Sequence, residues 1–330
     1  MTSTPPTQFR RVLVTGGTGF VGRALLPGLV AAGYTVRATT RNVAKAPQIT
    51  GVEWTRCDVA QRRDLDHALA EVDAAFFLVH GMGGGEADYA EAEQHTALAF
   101  REAAANAGTR RLVFLGGVEP AHQPSEHLKS RLRVGQLLRE GKVPALELRA
   151  SMIIGNGSTS WRIVRDLALR LPAMLLPSWT DSRTCPIDIE DVTVALRSAL
   201  ELELRESAWY DIPGPEVLSA RDILLRVAAL GGRRVPTLRV PLLSVSLSSW
   251  WLKLVTRADF AVARELVLGL SQDLLPANER YWELIGYRPK YDFETSARRA
   301  LASERHSDDS GLAARIEEAI VHLVGRKLPR

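Results

Sequence analysis

Through its first half the chain alternates short β-branched apolar runs with longer stretches whose apolar residues recur at helical spacing. That is the pattern of successive βαβ units wound around a parallel sheet. "RRVLVTG" reads as a first strand ending at glycines, and residues 20–32, "FVGRALLPGLVAA", as the helix after it, closed by Gly33. "TVRATTR" and "VEWTRCDV" are the predicted second and third strands, followed by a helix at "QRRDLDHALA". "VDAAFFLVH" is nearly all apolar, as a strand covered on both faces must be. A long helix over residues 86–107, a fifth strand "RRLVFLGG", a helix "HLKSRLRVGQLLREG" and a sixth strand "ALELRASMIIG" complete the run. Helices are thereby expected on both faces of one doubly wound, parallel Rossmann-type α/β sheet.

Beyond residue 155 the pattern loosens. Residues 156–180 suggest a helix and an apolar loop, and "TCPIDIEDVTVALRSALE" a short strand, an acidic cap and a helix. "AWYDIPGPEVLSARDILLRVAALGG" supplies a strand, a Pro/Gly turn and another helix. The expected organisation is a sheet core over 1–155 and a segment 156–213 that partly forms a substrate loop and partly returns to the core. A smaller, mostly helical C-terminal lobe over 214–302 follows on the substrate side. A polar linker and an amphipathic helix, with Leu312, Ile316, Ile320 and Leu323 on one face, occupy 303–330.

The junction of the first strand and helix carries candidate chemistry. Gly16, Gly19 and Gly22 form G-x-x-G-x-x-G in the strand–turn–helix context that a dinucleotide fingerprint requires. Gly16 permits the tight turn, Gly19 lets backbone approach a pyrophosphate, and Gly22 lets the helix pack close to the sheet. Main-chain N–H groups around Thr18, Gly19, Phe20 and Val21 at the helix N-terminus then face the anion. At the end of the second strand, where an acidic residue would accept ribose hydroxyls, the chain has Thr40-Arg41-Asn42. Arg41 suits a 2′-phosphate, so NADP(H) is favoured over NAD(H).

"VTGGTGFVG", "CDV" at Cys57–Val59, "FFLVHGMG" at Phe76–Gly83, "LVFLGG" at Leu112–Gly117 and "LRASMIIG" at Leu148–Gly155 stand in the order and spacing of a known group. Together they resemble the extended or atypical branch of the short-chain dehydrogenase/reductase (SDR) superfamily. More narrowly, they resemble its bacterial NmrA-like, NAD(P)H-binding members of the complex I subunit-like type. The resemblance implies a cofactor site in which Asp58 and Val59 contact the adenine, and Leu78, Val79 and His80 lie beside the adenosine and ribose portions. It places Leu115 and Gly116 near the nicotinamide, and Met152 and Ile153 beside its carboxamide.

Standard members of the superfamily use a Ser and a Tyr-x-x-x-Lys set to move a proton to or from the substrate oxygen. Here Gly116 and Gly117 stand at the Ser position, His127 at the Tyr position and Arg131 at the Lys position. Three routes are open. His127 serves as the acid with Arg131 on the ribose, the proton comes from water or substrate, or the site binds cofactor without reacting. His80, on a turn over the cofactor, is a further candidate, while His122, in a Pro-rich loop, carries no assigned role. Asp188, Glu190 and Asp191 match a family segment in which the acidic residues cap a helix. Trp250 and Trp251 fit either a core or an apolar pocket.

Composition narrows the class. With 46% hydrophobic and 24% charged residues the chain is an ordinary globular protein, and its net charge of +4 is scattered, which argues against nucleic acid as a partner. The two cysteines, Cys57 and Cys185, have neither metal nor C-x-x-C spacing, so no metal and a reducing compartment are expected. "MTSTPPTQFRR" lacks the apolar core of a signal peptide and no run approaches a membrane span, so a cytoplasmic protein is expected. The leading expectation is an NADPH-dependent reductase of a small apolar carbonyl, enone or quinone-like compound. A non-catalytic NADP(H)-binding sensor or assembly protein, and an isomerase or epimerase using transient hydride transfer, are the alternatives.

Overall fold

The computed structural model describes residues 9–79, 86–121, 124–240 and 272–308. The chain divides into two compact units, the first comprising Met1–Ser151, Ile189–Pro213 and Leu275–Lys290, the second Met152–Asp188, Gly214–Leu274 and Tyr291–Arg330.

The first unit is a doubly wound Rossmann sheet of seven parallel strands in the order β3-β2-β1-β4-β5-β6-β11. These strands are β1 (Arg11–Val14), β2 (Thr35–Thr40), β3 (Val52–Arg56), β4 (Ala74–Phe77), β5 (Arg111–Gly117), β6 (Ala145–Ala150) and β11 (Ala208–Asp211). The helices between them are α1 (Phe20–Ala31), α2 (Arg62–Leu69), α3 (Glu86–Asn106) and α4 (Glu126–Arg139), and α6 (Ile189–Ser198) packs beside α1. Strand order reverses between β1 and β4, which opens a crevice at their carboxyl ends. Thr15 ties that point together: its N–H and its hydroxyl donate to Phe76 O at 2.9 and 3.0 Å, and Leu78 N–H donates to its Oγ1 at 3.1 Å. Phe77, Phe100 and Phe114 meet in the core beneath α2, α3 and α4, with Phe77 4.8 Å from Phe100 and 6.2 Å from Phe114 between ring centres.

Two strands are shorter than the sequence pattern suggests. β4 stops at Phe77 because the next N–H, that of Leu78, is taken by Thr15 rather than by a neighbouring strand. β6 stops at Ala150, which is where its ladder with β5 runs out at Gly117. Ile153–Ile154 form a separate strand, β7, paired in parallel with β10 (Ile187–Asp188) in the second unit.

Residues Leu275–Lys290 group with the sheet. Asp211 accepts from Ala277 N at 2.7 Å, and Tyr281 Oη and Trp282 Nε1, on α8 (Arg280–Leu284), donate to the carbonyls of Ala195 and Pro213. Asp191, fully buried in the first turn of α6, accepts from Tyr287 Oη at 2.6 Å and Lys290 N at 3.0 Å. Within the acidic segment, Asp191 therefore fastens a distant stretch of chain.

The second unit is built from helices α5 (Thr159–Arg170), α7 (Ala220–Leu230) and α9 (Phe293–Asp308) around Trp161, Ile223, Val227, Phe293 and Ala297. Short pairings edge it: β9 (Arg183–Thr184) with β12 (Leu218–Ser219), and β8 (Met174–Leu176) with β13 (Thr237–Arg239). Ser158 and Ser219 cap α5 and α7 by accepting from the N–H three residues on. Among the described residues no helix is long and apolar enough to cross a membrane. Trp250, Trp251, His80, His122 and the expected C-terminal helix lie outside the described residues.

Candidate cofactor and reaction site

The turn between β1 and α1 is shaped by close backbone approaches. Gly16 has φ +66°, and a Cβ on it would stand 2.7 Å from Leu78 O. Gly22, in the first turn of α1, lies against the same turn, where a Cβ would stand 2.4 Å from Gly16 O. Only hydrogen fits at either position. Gly19 N donates back to Gly16 O at 2.9 Å and Arg23 N to Gly19 O at 3.0 Å, so Gly19 is where turn becomes helix. The helix start has no side-chain cap and no acidic residue in its first turn. Its leading N–H groups are thus directed at whatever sits above the turn, and the partial positive charge there favours an anion. Thr18 and Gly19 are exposed at the tip, with Phe20 and Val21 half-buried behind them. This cradle fits a dinucleotide pyrophosphate.

Gly17 rests on the second and third strands, with its Cβ direction 2.9 Å from Ala38 Cβ and 3.0 Å from the Trp54 ring. The carboxyl end of β2 is therefore beside the cradle, and Arg41, just past that end, is exposed. The turn holding it is set locally: Asn42 N donates to Thr40 Oγ1 at 3.2 Å, and Ala44 N to Asn42 Oδ1 at 3.1 Å.

Past β3, Asp58 is half-buried and in a local turn, its Oδ1 accepting from Ala60 N at 3.1 Å while its N–H donates to Asp64 at 2.9 Å. The neighbouring Cys57 is buried, and burial, followed by the charges of Asp64 and Asp58, pushes its thiol up to about 12. That thiol is inert at physiological pH. Leu78 joins the cradle through Thr15 and Gly16, whereas Val59 and Val79 line a cavity of about 160 Å³. The same cavity is lined by Phe77, by Ala92, Glu93 and Thr96 of α3, and by Arg131 and Val134 of α4.

At the end of β5 the structure explains why residue 116 is a glycine. A Cβ on Gly116 would lie 2.7 Å from Glu147 Oε1. Glu147 is 1% exposed in the middle of β6, paired with Arg139 Nε and Arg149 Nε at 2.9 Å each. Arg149 also reaches Glu119 at 3.1 Å, in the loop after β5, and stacks 4.1 Å over the Trp209 ring. Space above β6 is thus occupied by a buried ionic cluster. At the neighbouring Gly117 the Cβ direction is filled by Leu128 Cδ1 at 2.6 Å.

α4 begins at a Ser125 cap that accepts from Leu128 N at 3.3 Å. His127 is half-buried in its first turn. His127, Ser130, Arg131 and Val134 recur at i, i+3, i+4 and i+7, and so share one face. Arg131 Nη2 donates to Leu115 O, and its guanidinium lies 4.8 Å over the Phe114 ring. Ser130 is buried and donates to Glu93 Oε2 at 2.5 Å.

The structure thus brings the glycine cradle, the β2 end and Leu78 together, and separately gathers Val59, Val79 and Arg131 around one cavity. Met152 is not available as a surface: its side chain, 1% exposed, packs in the core of the second unit, and Ile153 lies on β7 there. Sequence reasoning missed Glu93, Ser130 and Glu147. Ser130 was within reach, since it shares the face of His127 and Arg131. Glu93 is one of several acidic residues on α3, and Glu147 lies in an apolar strand. Neither carries a local signal.

Residues 16–170 match the family model described as NAD(P)H-binding. Over 299 residues the chain is 27% identical to the (4-alkanoyl-5-oxo-2,5-dihydrofuran-3-yl)methyl phosphate reductase of Streptomyces griseus subsp. griseus, covering 89% of this chain and 100% of that protein. It is 31% identical over 191 residues to the ceramide reductase of Caulobacter vibrioides, covering 56% and 59%. In fold it matches MoeE5, solved with UDP-glucuronic acid and NAD, at a TM-score of 0.70 and 18% identity over 90% of this chain and 99% of that one. With this cradle on this sheet, the chain carries an NAD(P)H-binding domain on a Rossmann-type fold and is similar along most of its length to a reductase, which marks it as a nicotinamide-dependent oxidoreductase.

Proposed function

We propose that the protein is an NADPH-dependent reductase acting on an apolar carbonyl, enone or quinone-like substrate. The observation that carries this reading is the cradle: Gly16 and Gly22 admit no side chain, and the α1 N-terminus is left open to an anion. The pyrophosphate is held by the turn from Gly16 to Gly22, including Thr18, Gly19, Phe20 and Val21. Arg41 pairs with the 2′-phosphate, and no carboxylate stands at Thr40-Arg41-Asn42 to repel it. Asp58 and Val59 border the adenine, Leu78 and Val79 the adenosine, and Leu115 and Gly116 the nicotinamide. When bound, the reduced cofactor supplies the hydride. His127 donates the proton, and Arg131, fixed by Leu115 O and the face of Phe114, orients the neighbouring ribose. The enone class is favoured by the name of the full-length relative, which denotes an unsaturated oxo-dihydrofuran bearing an alkanoyl group. Conjugate reduction also asks less of an acid, because the developing charge is delocalised.

A second reading, cofactor binding without turnover, is favoured by the filled space at Gly116 and Gly117. One experiment separates the two. Purified protein is titrated with NADPH and NADH, and NADPH oxidation is then followed against a panel of enones, quinones and ketones. Preferential NADPH binding with oxidation by an enone is expected. Tight binding with no oxidation across the panel supports the binding protein. Where turnover is found, His127→Phe reduces it by roughly 10²-fold or more if the imidazole is the acid.

A further inference from the structure

We infer that Arg56 is a second ligand of the cofactor's 2′-phosphate, so that arginines from two adjacent strand ends grip one phosphate monoester. This rests on the NADPH reading above and adds to it a residue that sets the choice between NADPH and NADH.

The register of β2 and β3 places Arg56. The two strands run parallel, with Arg37 opposite Glu53, Ala38 opposite Trp54 and Thr40 opposite Arg56. Successive side chains alternate between the two faces of a sheet. Arg37 and Glu53 mark one face: they pair at 3.2 Å, and Arg37 Nη1 also donates to Ala68 O and Ala70 O around the end of α2. Ala38 and Trp54 mark the other, since both lie against Gly17 of the cradle. Thr40 and Arg56 come two residues later on the same strands, so they share the cradle's face at the carboxyl end. The ladder is intact there, because Cys57 N donates to Thr40 O at 2.9 Å. Arg41 follows Thr40 directly.

The two arginines thus rise from neighbouring strand ends, whose backbones lie about 4.8 Å apart. Both are exposed, and neither makes a hydrogen bond, ion pair or ring contact among the described residues. Other arginines of this half of the sheet are engaged: Arg11 with Glu71 at 2.6 Å, Arg37 with Glu53, and Arg62 with Asp66 at 2.8 Å. The nearby carboxylates are turned elsewhere, Glu53 onto the opposite face and Asp58 into its own turn. Like charges on adjacent strands repel, and an anion held between them removes that cost.

The chemistry of the pair selects the anion. A phosphate monoester carries close to two negative charges at neutral pH and offers three acceptor oxygens, which suits two guanidinium forks. The ribose hydroxyl that NADH presents at the same place carries no charge and gives neither fork a reason to close. The backbone beneath each arginine is already fixed, Arg56 by the β2–β3 ladder and Arg41 by Asn42 N on Thr40 Oγ1 at 3.2 Å. Little of the binding energy is then spent on ordering the chain.

The test is calorimetric titration of the full chain with NADPH and NADH. It is repeated with adenosine 2′,5′-bisphosphate and adenosine 5′-monophosphate, which differ only in the 2′-phosphate. Arg56→Ala should weaken NADPH and the bisphosphate by about tenfold and leave NADH and the monophosphate nearly unchanged. Arg56→Lys should regain part of the loss, and the double variant Arg41→Ala, Arg56→Ala should abolish the preference for NADPH over NADH. Arg205→Ala removes the same charge from an exposed site just before β11, at the amino end of the sheet, and should leave all four affinities as they were. Unchanged affinities in Arg56→Ala, or equal losses for ligands with and without the 2′-phosphate, overturn the inference and leave the NADPH reading intact. A native protein that binds NADH as well as NADPH, or binds neither, overturns both.

Discussion

The cofactor cradle and the β5–α4 end face the same crevice side of the sheet, yet they are specified in different ways. At the cradle the determinants are backbone contacts among near neighbours: Gly16, Gly19 and Gly22 lie within one turn, and the constraint is that a carbonyl oxygen occupies the place of a Cβ. At the β5–α4 end the determinants are side chains distant in sequence, with Glu147 filling the space at Gly116 and Arg139, Arg149, Glu119 and Trp209 arranged around it. A site made of local backbone geometry is hard to alter and easy to find. One made of tertiary side-chain contacts can be rebuilt while the fold stays the same.

That contrast can be broken experimentally, beginning where the largest effect is expected. Glu147→Ala leaves Arg149, itself 5% exposed, without its buried carboxylate. It should lower unfolding stability by about 3–5 kcal/mol, read by urea denaturation. Gly22→Ala should come next: with backbone at 2.4 Å from the new Cβ, the helix must withdraw from the turn. NADPH affinity should fall by roughly a hundredfold, about 2.7 kcal/mol, by fluorescence titration. Gly116→Ser supplies a hydroxyl at the end of β5, but places its Cβ 2.7 Å from a carboxylate oxygen held by two arginines. The expected result is destabilisation by about 1–3 kcal/mol with no gain in turnover, and a rise in activity would show that the ionic cluster yields easily. Arg41→Ala is the smallest. It should weaken NADPH by about tenfold and leave NADH nearly unchanged, and equal losses would remove the 2′-phosphate role.

Those differences also explain what could be read from the sequence. The parallel sheet followed from the apolar runs at β1, β4 and β5, since each is buried on both faces and carries no competing pattern. The cradle followed from three glycines, because only sterics at those positions demand them. The ends of β4 and β6 did not, since β4 ends where Thr15 takes the Leu78 N–H and β6 ends with its ladder to β5, and neither is written in the strand itself. Glu93 and Glu147 were illegible for a related reason. What distinguishes them is Ser130 across a helix pair and Gly116 and Gly135 across a sheet layer, neither of which adjoins them in the chain. Met152 follows the sixth strand in sequence, and its side chain packs in the core of the second unit.

The way residues Leu275–Lys290 fasten to Asp191, Ala195, Asp211 and Pro213 also bears on how the protein is made. The nucleotide-binding half is contiguous in sequence, yet its sheet receives β11 only after residue 208, and the strap over β11 and α6 only near residue 290. At ribosomal rates the nascent sheet waits on the order of ten seconds between β6 and that strap. In that interval Arg149 has no Trp209 to lie on, and the buried Arg111 lacks the Ala199 and Leu202 carbonyls that it serves. A fragment ending at residue 170 would hold the full glycine turn on an unfinished edge. The cofactor motif is therefore early to emerge and late to gain the strand and strap that complete its sheet.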